Sequence, residues 1–281
     1  MFDFIIKFKH LVLLALVISS ASLLTLFSPS ISAQEAKLIK FWSDFEPKSV
    51  MTVRHEPWQE ILDTYVDDQH SSGINRFDYQ AVSDSDFTKL KEYLAYLQLL
   101  EPRQLNSSEA KAYWINFYNA LMVDLIIDAV RDDDIDSIRN LGGRFSRRNR
   151  VTVVMQNISI DDIHHGILRP IWNDTRVHFA LATGALSGGN LQKRAYTGEN
   201  VDELLQKAQN EFFNHDRAIR FEEGNVIASS IFNWYRDDFV ESKSQLVPYI
   251  AQRVGETKQA LLAGITRVRF DYDWTLNRPD S

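Results

Sequence analysis

The chain contains no cysteine. That absence removes disulfides, thiolate nucleophiles, iron–sulfur clusters and cysteine-ligated zinc together. Glycine (11) and proline (7) are sparse over 281 residues, which excludes collagen-like and low-complexity architectures. A basic excess is also missing. The net charge of −7 and the pI near 5.5 argue against a dedicated nucleic-acid binder, whose surface is cationic. The longest apolar run, Leu11 to Phe27, falls short of the ~20 residues that span a bilayer comfortably. What remains is ordinary globular composition: 44% hydrophobic, 25% charged, 12% aromatic.

Residues 1–33 read as an export signal. Lys7, Lys9 and His10 precede the apolar run, Ser19, Ser20 and Ser22 interrupt it, and small residues lead up to a cut after Ala33. Ile31 occupies the minus-three position, where alanine is more usual. The expectation is a periplasmic or secreted protein beginning at Gln34. The alternative is an uncleaved anchor in the inner membrane. Without cysteine, no thiol-linked lipid anchor can form.

Behind an N-terminal extension, 34–53, residues 54–281 read as one globular domain of the α+β class, helix-rich with a small β-sheet. Pro57 opens a helix whose apolar stripe is Trp58, Ile61, Leu62, Tyr65 and Val66. Phe87, Leu90, Tyr93, Leu94 and Leu97 form a second stripe. Asn106 and Glu109 have the spacing of a capping box ahead of Ala110–Val130, which is apolar on most sides and predicts a buried central helix. Asp132 to Asp134 end it. Val151–Met155 reads as a strand, and Ser159 caps a short helix through Leu168. Val177–Leu181 is a short strand or a buried helix start, which periodicity alone leaves open. Residues 200–213 are helical, 218–221 and 226–229 form a hairpin, and three short helices and a strand-like segment from Arg267 to Trp274 follow.

Several blocks carry a resemblance. Trp114 to Leu121 (WINFYNAL), Ser159 to Pro170 (SIDDIHHGILRP), Arg176 to Leu181 with Ala185–Ser187 and Ala195–Gly198, Ser229 to Tyr235, and Tyr272 to Asn277 occur in this order. Together they resemble the bacterial and plant family called domain of unknown function 547, over roughly residues 76–277. The resemblance implies a fold and a habit of export, without an established reaction. One departure matters. The family reads H-F-A-L-x-C-G-A-x-S-C-P through the third block, whereas this chain has Thr183 and Gly188 at the two cysteine places and Gly189 at the proline.

Candidate chemistry therefore rests on other side chains. His165 and His178 stand out because imidazole titrates near neutral pH; Asp161 or Asp162 would orient His165, and His178 is equally readable as a buried structural histidine. His164, about 100° from its neighbour on an α-helix, reads as a surface residue. Ser187, ahead of two glycines, is a candidate nucleophile or a residue of a plain turn, because no G-x-S-x-G elbow surrounds it. Asn116 and Asn119 share a helix face and either lock the core or line a polar cleft with His165 and Ser187. Arg169 is a candidate binding residue. Five arginines between 139 and 150, including Arg147 and Arg148, form a solvated loop or a grip on an anionic polymer, a membrane surface or an envelope protein. Trp234, Tyr235, Tyr272 and Trp274 read as core edges. No metal-ligand spacing appears, and no cofactor is implied. The functional expectation is an exported binding or accessory protein without thiol chemistry. The alternative is a hydrolase or acyl transferase, akin through the family's cysteines to papain- or transglutaminase-type enzymes, with His165 as general base.

Overall fold

Helices build the first half of the domain, and each begins where the sequence places its signal. In the computed structural model, which describes residues 35–144 and 150–280, α1 (Glu56–Tyr65) has Pro57 in its first turn and buries Trp58, Ile61 and Leu62. The expected export signal, Arg147 and Arg148 lie outside the described residues. In α2 (Asp84–Leu99), Ser83 is the N-cap, accepting from the Asp86 amide at 3.1 Å, and Leu90, Tyr93, Leu94 and Leu97 face inward. α2 packs on both α1 and the central helix α3 (Ser107–Asp133), which is buried on almost every side. The helix stops at Asp134, whose φ of 44° is left-handed. Short strands β1 (Val66–Asp67) and β2 (Arg76–Phe77) pair antiparallel between the first two helices.

The start of α3 departs from the expected capping box. Asn106 does cap, accepting from the Glu109 amide at 3.0 Å. The Glu109 carboxylate, however, turns away from the cap. It accepts from the Val53 amide at 2.7 Å and from the Gly198 amide at 2.7 Å, and the residue is only 3% exposed. Burying a carboxylate is costly unless it is fully bonded. Two otherwise unpartnered amides, from segments 56 and 89 residues away, decide its direction. The N-terminal extension is fastened in the same region, with Trp42 buried edge-on against Trp114 at 5.1 Å.

The second half mixes small sheets with short helices. β3 (Arg150–Val153) and β4 (Gln156–Ser159) form a hairpin, so the expected strand 151–155 ends two residues early. Val154 and Met155 make its two-residue turn with φ of 47° and 59°. Such turns favour Asn and Gly, and a β-branched residue there stores about 1–2 kcal/mol of strain. After the hairpin come a π-helical stretch (Asp162–Leu168), α4 (Arg169–Trp172) and α5 (Val177–Ala180). α5 settles the open choice at Val177–Leu181 in favour of a buried helical turn. α6 (Val201–Asn214) precedes the hairpin β5 (Ile219–Glu222) and β6 (Asn225–Ser229). Short helices α7 (Ile231–Trp234), α8 (Arg236–Phe239), α9 (Leu246–Ala251) and α10 (Glu256–Leu262) follow, and β7 (Arg269–Asp271) returns parallel to β6. The domain is helix-rich α+β as expected, but among the described residues its strands make three separate small sheets instead of one.

The last segment closes the structure. The Trp274 carbonyl accepts from Ile138, Leu276 donates to Asp136, and Asn277 donates to the Gly184 carbonyl at 2.7 Å. Residues 272–277 are thus held between the chain after α3 and the loop after α5.

The Glu109 arrangement makes a stability prediction. Glu109→Ala leaves two backbone amides unpartnered in the core and costs about 3 kcal/mol, whereas loss of the ordinary cap in Asn106→Ala costs about 1 kcal/mol. Urea unfolding of the two variants against the parent measures the difference.

Candidate functional site

Pro170 shapes the segment that carries the histidines. It has no N–H, so the carbonyl of Gly166 has no donor four residues on. The helix widens ahead of it, and the Arg169 amide reaches back five residues to the His164 carbonyl. The N-terminal extension supplies the missing donors: Lys37 N–H bonds the His165 carbonyl at 3.0 Å and Ile39 N–H bonds the Gly166 carbonyl at 2.9 Å. Gly166 permits this approach, since a Cβ there would meet Ile39 Cδ1 at 2.5 Å. At the start of the segment Ser159 caps as expected, accepting from the Asp162 amide at 3.1 Å, and Asp162 spends its carboxylate on the Ser159 amide and hydroxyl.

The widened turn puts His164 and His165 on one side, stacked at 4.1 Å. His164 is therefore buried, at 8% exposure, and not the surface residue that an α-helical 100° step predicts. Asp162 is committed to Ser159, and a carboxylate from outside the block, Asp238 on α8, is hydrogen-bonded into the cluster. It takes the Arg169 guanidinium side-on, Nε to Oδ2 at 2.6 Å and Nη2 to Oδ1 at 2.9 Å. The same Oδ2 meets His178 Nε2 at 2.7 Å. His178 Nδ1 meets His164 Nε2 at 3.2 Å, and His165 Nδ1 meets Arg169 Nη1 at 2.9 Å. Tyr235 stacks on His178 at 4.3 Å and lies under the Arg169 guanidinium, and the Tyr118 ring meets His164 edge-on.

Burial keeps these imidazoles neutral. His165 is pushed down to about 3, first by burial and then by the Arg169 charge. His164 is held well below the usual histidine range by burial and by its neighbours His165, His178 and Arg169. His178 is also lowered, burial outweighing the Asp238 carboxylate that draws it upward. Burial works to raise the Asp238 carboxyl, but the hydrogen bonds from His178 and Arg169 hold it below the ordinary carboxylate range.

The partners then fix where each proton sits. A carboxylate only accepts and a guanidinium only donates. His178 Nε2 therefore carries its proton toward Asp238, leaving Nδ1 to accept from His164 Nε2. Two nitrogens end the network, and neither has a partner among the described residues. His164 Nδ1 ends it as a lone pair. His165, whose Nδ1 accepts from Arg169, ends it as an Nε2–H donor. His165 is thus turned the wrong way for the role of general base, and the accepting nitrogen belongs to His164.

The remaining candidates lie in other contacts. Asn116, fully buried, clamps the Tyr196 backbone, accepting from its amide at 3.0 Å and donating to its carbonyl at 2.7 Å. Asn119 does the same across α5, donating to the Ala180 carbonyl and accepting from the Ala182 amide. Ser187 Oγ accepts from the Asp273 amide at 2.8 Å, fastening the closing segment. None of the three is hydrogen-bonded to a histidine of the cluster. Arg217, which the sequence reading passed over, grips this loop from beneath: it donates to the Gly188 carbonyl at 2.8 Å and to Asn190 at 2.9 Å. Thr183 and Gly188 are neighbours, since a Cβ on Gly188 would stand 2.5 Å from Thr183 Oγ1. Thr183 is instead bonded to the Tyr272 hydroxyl at 2.9 Å. Buried Tyr272 and half-buried Trp234 and Trp274 form an aromatic group with Arg139 over the Trp274 ring.

A helix-rich α+β domain with a histidine–aspartate–arginine cluster at a π-helical turn is the class that fold and site define. Residues 102–213 match the family model described as protein of unknown function, DUF547, and that segment is similar to the family. The matched stretch holds His164, His165, Arg169 and His178; Asp238 and Tyr235 lie beyond it. No curated protein and no solved structure matches the chain.

Two outcomes follow from this geometry. His165 and His55, the latter lowered to about 4 by burial beside Tyr93, have folded values below the 6.5 of the free side chain. The unfolded chain therefore binds more protons in acid, and stability that is complete above 6.5 is lost as pH falls toward the folded values. From about pH 7 to about pH 5 each of the two withdraws about 2 kcal/mol, with His164 adding in the same direction. Thermal melting at the two pH values measures it. The second outcome concerns the paired loop positions: Thr183→Cys with Gly188→Cys closes a disulfide on air oxidation and adds about 2 kcal/mol. The loss of two hydrogens in the intact mass and reducing against non-reducing melts read it.

Proposed function

We propose that this chain is an exported protein of the cell envelope that binds a ligand at the histidine cluster, acting as a binding or accessory component without thiol chemistry. The observation that carries the reading is how the cluster is wired. Among the described residues no serine or threonine hydroxyl is bonded to His164, His165 or His178, and Ser187 is committed to Asp273. Imidazoles as weakly basic as His164 and His165 are also poor proton acceptors near neutral pH, because general-base catalysis is most efficient with a pKa near the working pH. Export rests on the composition of residues 1–33, and the basic stretch 139–150 supplies a second contact for an anionic polymer, a membrane surface or an envelope partner.

A second reading has one specific observation in its favour. Asp238, His178 and His164 form a series in which a carboxylate orients one imidazole against another. That order suits a hydrolase or acyl transferase in which His164, rather than His165, takes the proton of an attacking water or hydroxyl.

Mass spectrometry of untagged protein from the periplasmic fraction separates the readings. The denatured mass is expected to be that of a chain beginning at Gln34, and the native spectrum to carry an additional, non-covalently bound organic molecule. A bare protein that hydrolyses members of an ester and amide panel, with turnover lost in His164→Ala, would overturn the binding reading in favour of the hydrolase.

A further inference from the structure

The cluster ends in one acceptor and one donor, and that pair specifies a class of ligand. We propose that His164 Nδ1 and His165 Nε2–H together receive a neutral primary carboxamide, its N–H donating to His164 and its carbonyl accepting from His165. The inference rests on reading the cluster as a binding site and adds what it binds.

Three observations lead there. The network that begins at Asp238 and Arg169 leaves unequal ends: the carboxylate drives protons toward itself through His178 and His164, while the guanidinium forces the proton of His165 to its far nitrogen. A carboxylate or a phosphodiester offers acceptors only and an ammonium donors only, so each leaves one of these nitrogens opposed by its own kind. A group that both donates and accepts satisfies both. Charge agrees with this, because the Asp238 carboxylate and the Arg169 guanidinium face each other across two short bonds and neither is bonded to the two open nitrogens. The spacing favours an amide over a hydroxyl. The two rings are stacked 4.1 Å apart, and an amide carries its donor and its acceptor on separate atoms, so that each can address one ring. Tyr235 packs against both rings and Tyr118 against His164, and His164 and His165 each retain 8% exposure.

The test uses the full mature chain with its histidines labelled with ¹⁵N. Ring-nitrogen resonances are expected to show Nε2 protonated and Nδ1 unprotonated in His164, His165 and His178. Titration with acetamide is then expected to move His164 Nδ1 and His165 Nε2 together in the millimolar range, with acetate and methylammonium leaving both in place. A proton on His165 Nδ1 or on His164 Nδ1 would overturn the assignment. So would a response to acetate or methylammonium equal to that with acetamide, or none to any of the three probes. An unresponsive cluster in protein that nevertheless retains a native ligand would remove the amide assignment alone. If no ligand is retained either, the binding reading falls with it.

Discussion

One carboxylate organises the histidine cluster. Asp238 accepts from a guanidinium along one edge and from an imidazole on the same oxygen, and both partners are more than nine-tenths buried. Because one partner can only donate and the carboxylate can only accept, the protonation of three neighbouring histidines is decided two bonds away. In water the tautomers of these rings would interchange freely. Inside the fold they are held, because reversing any one would set two lone pairs or two protons against each other in a medium of low dielectric.

The backbone beneath the cluster is held by a comparable device. Pro170 deprives the helix of a donor, the helix widens, and two carbonyls are left for an outside strand to satisfy. Residues 37 and 39 do so, and Glu109 fastens the same extension at Val53. The extension is therefore part of the support of the histidines. A chain that lost it would expose the carbonyls of His165 and Gly166 and leave one side of Glu109 unpaired.

The absence of cysteine acquires a structural meaning as well. Thr183 and Gly188, the places where the resemblance puts cysteines, lie side by side at the base of the loop that carries Ser187. In this chain the loop is held by other means: the Thr183 hydroxyl on Tyr272, the Ser187 hydroxyl on Asp273 and the Arg217 guanidinium on Gly188.

Local signals were legible from the residues alone. Pro57 and Asn106 mark helix starts by chemistry that acts within one turn, and the all-round apolar character of Ala110–Val130 marks a buried helix without reference to its partners. His165, His178 and Arg169 could be singled out as polar groups in recognisable blocks, and they do come together. Asp238 could not, because 60 residues separate it from His178 and nothing in its own neighbourhood distinguishes it from Asp237. Nor could the burial of His164, which follows from a π-turn that local periodicity does not encode, or the direction of Glu109, drawn from its cap by distant amides. Sequence by itself determined the long helices, the lack of thiol chemistry and the set of eligible side chains, since each depends on residue type and short-range order. Tertiary structure alone decided which of those side chains meet and where their protons lie, since hydrogen-bond partners distant in the chain are chosen only when the chain has folded.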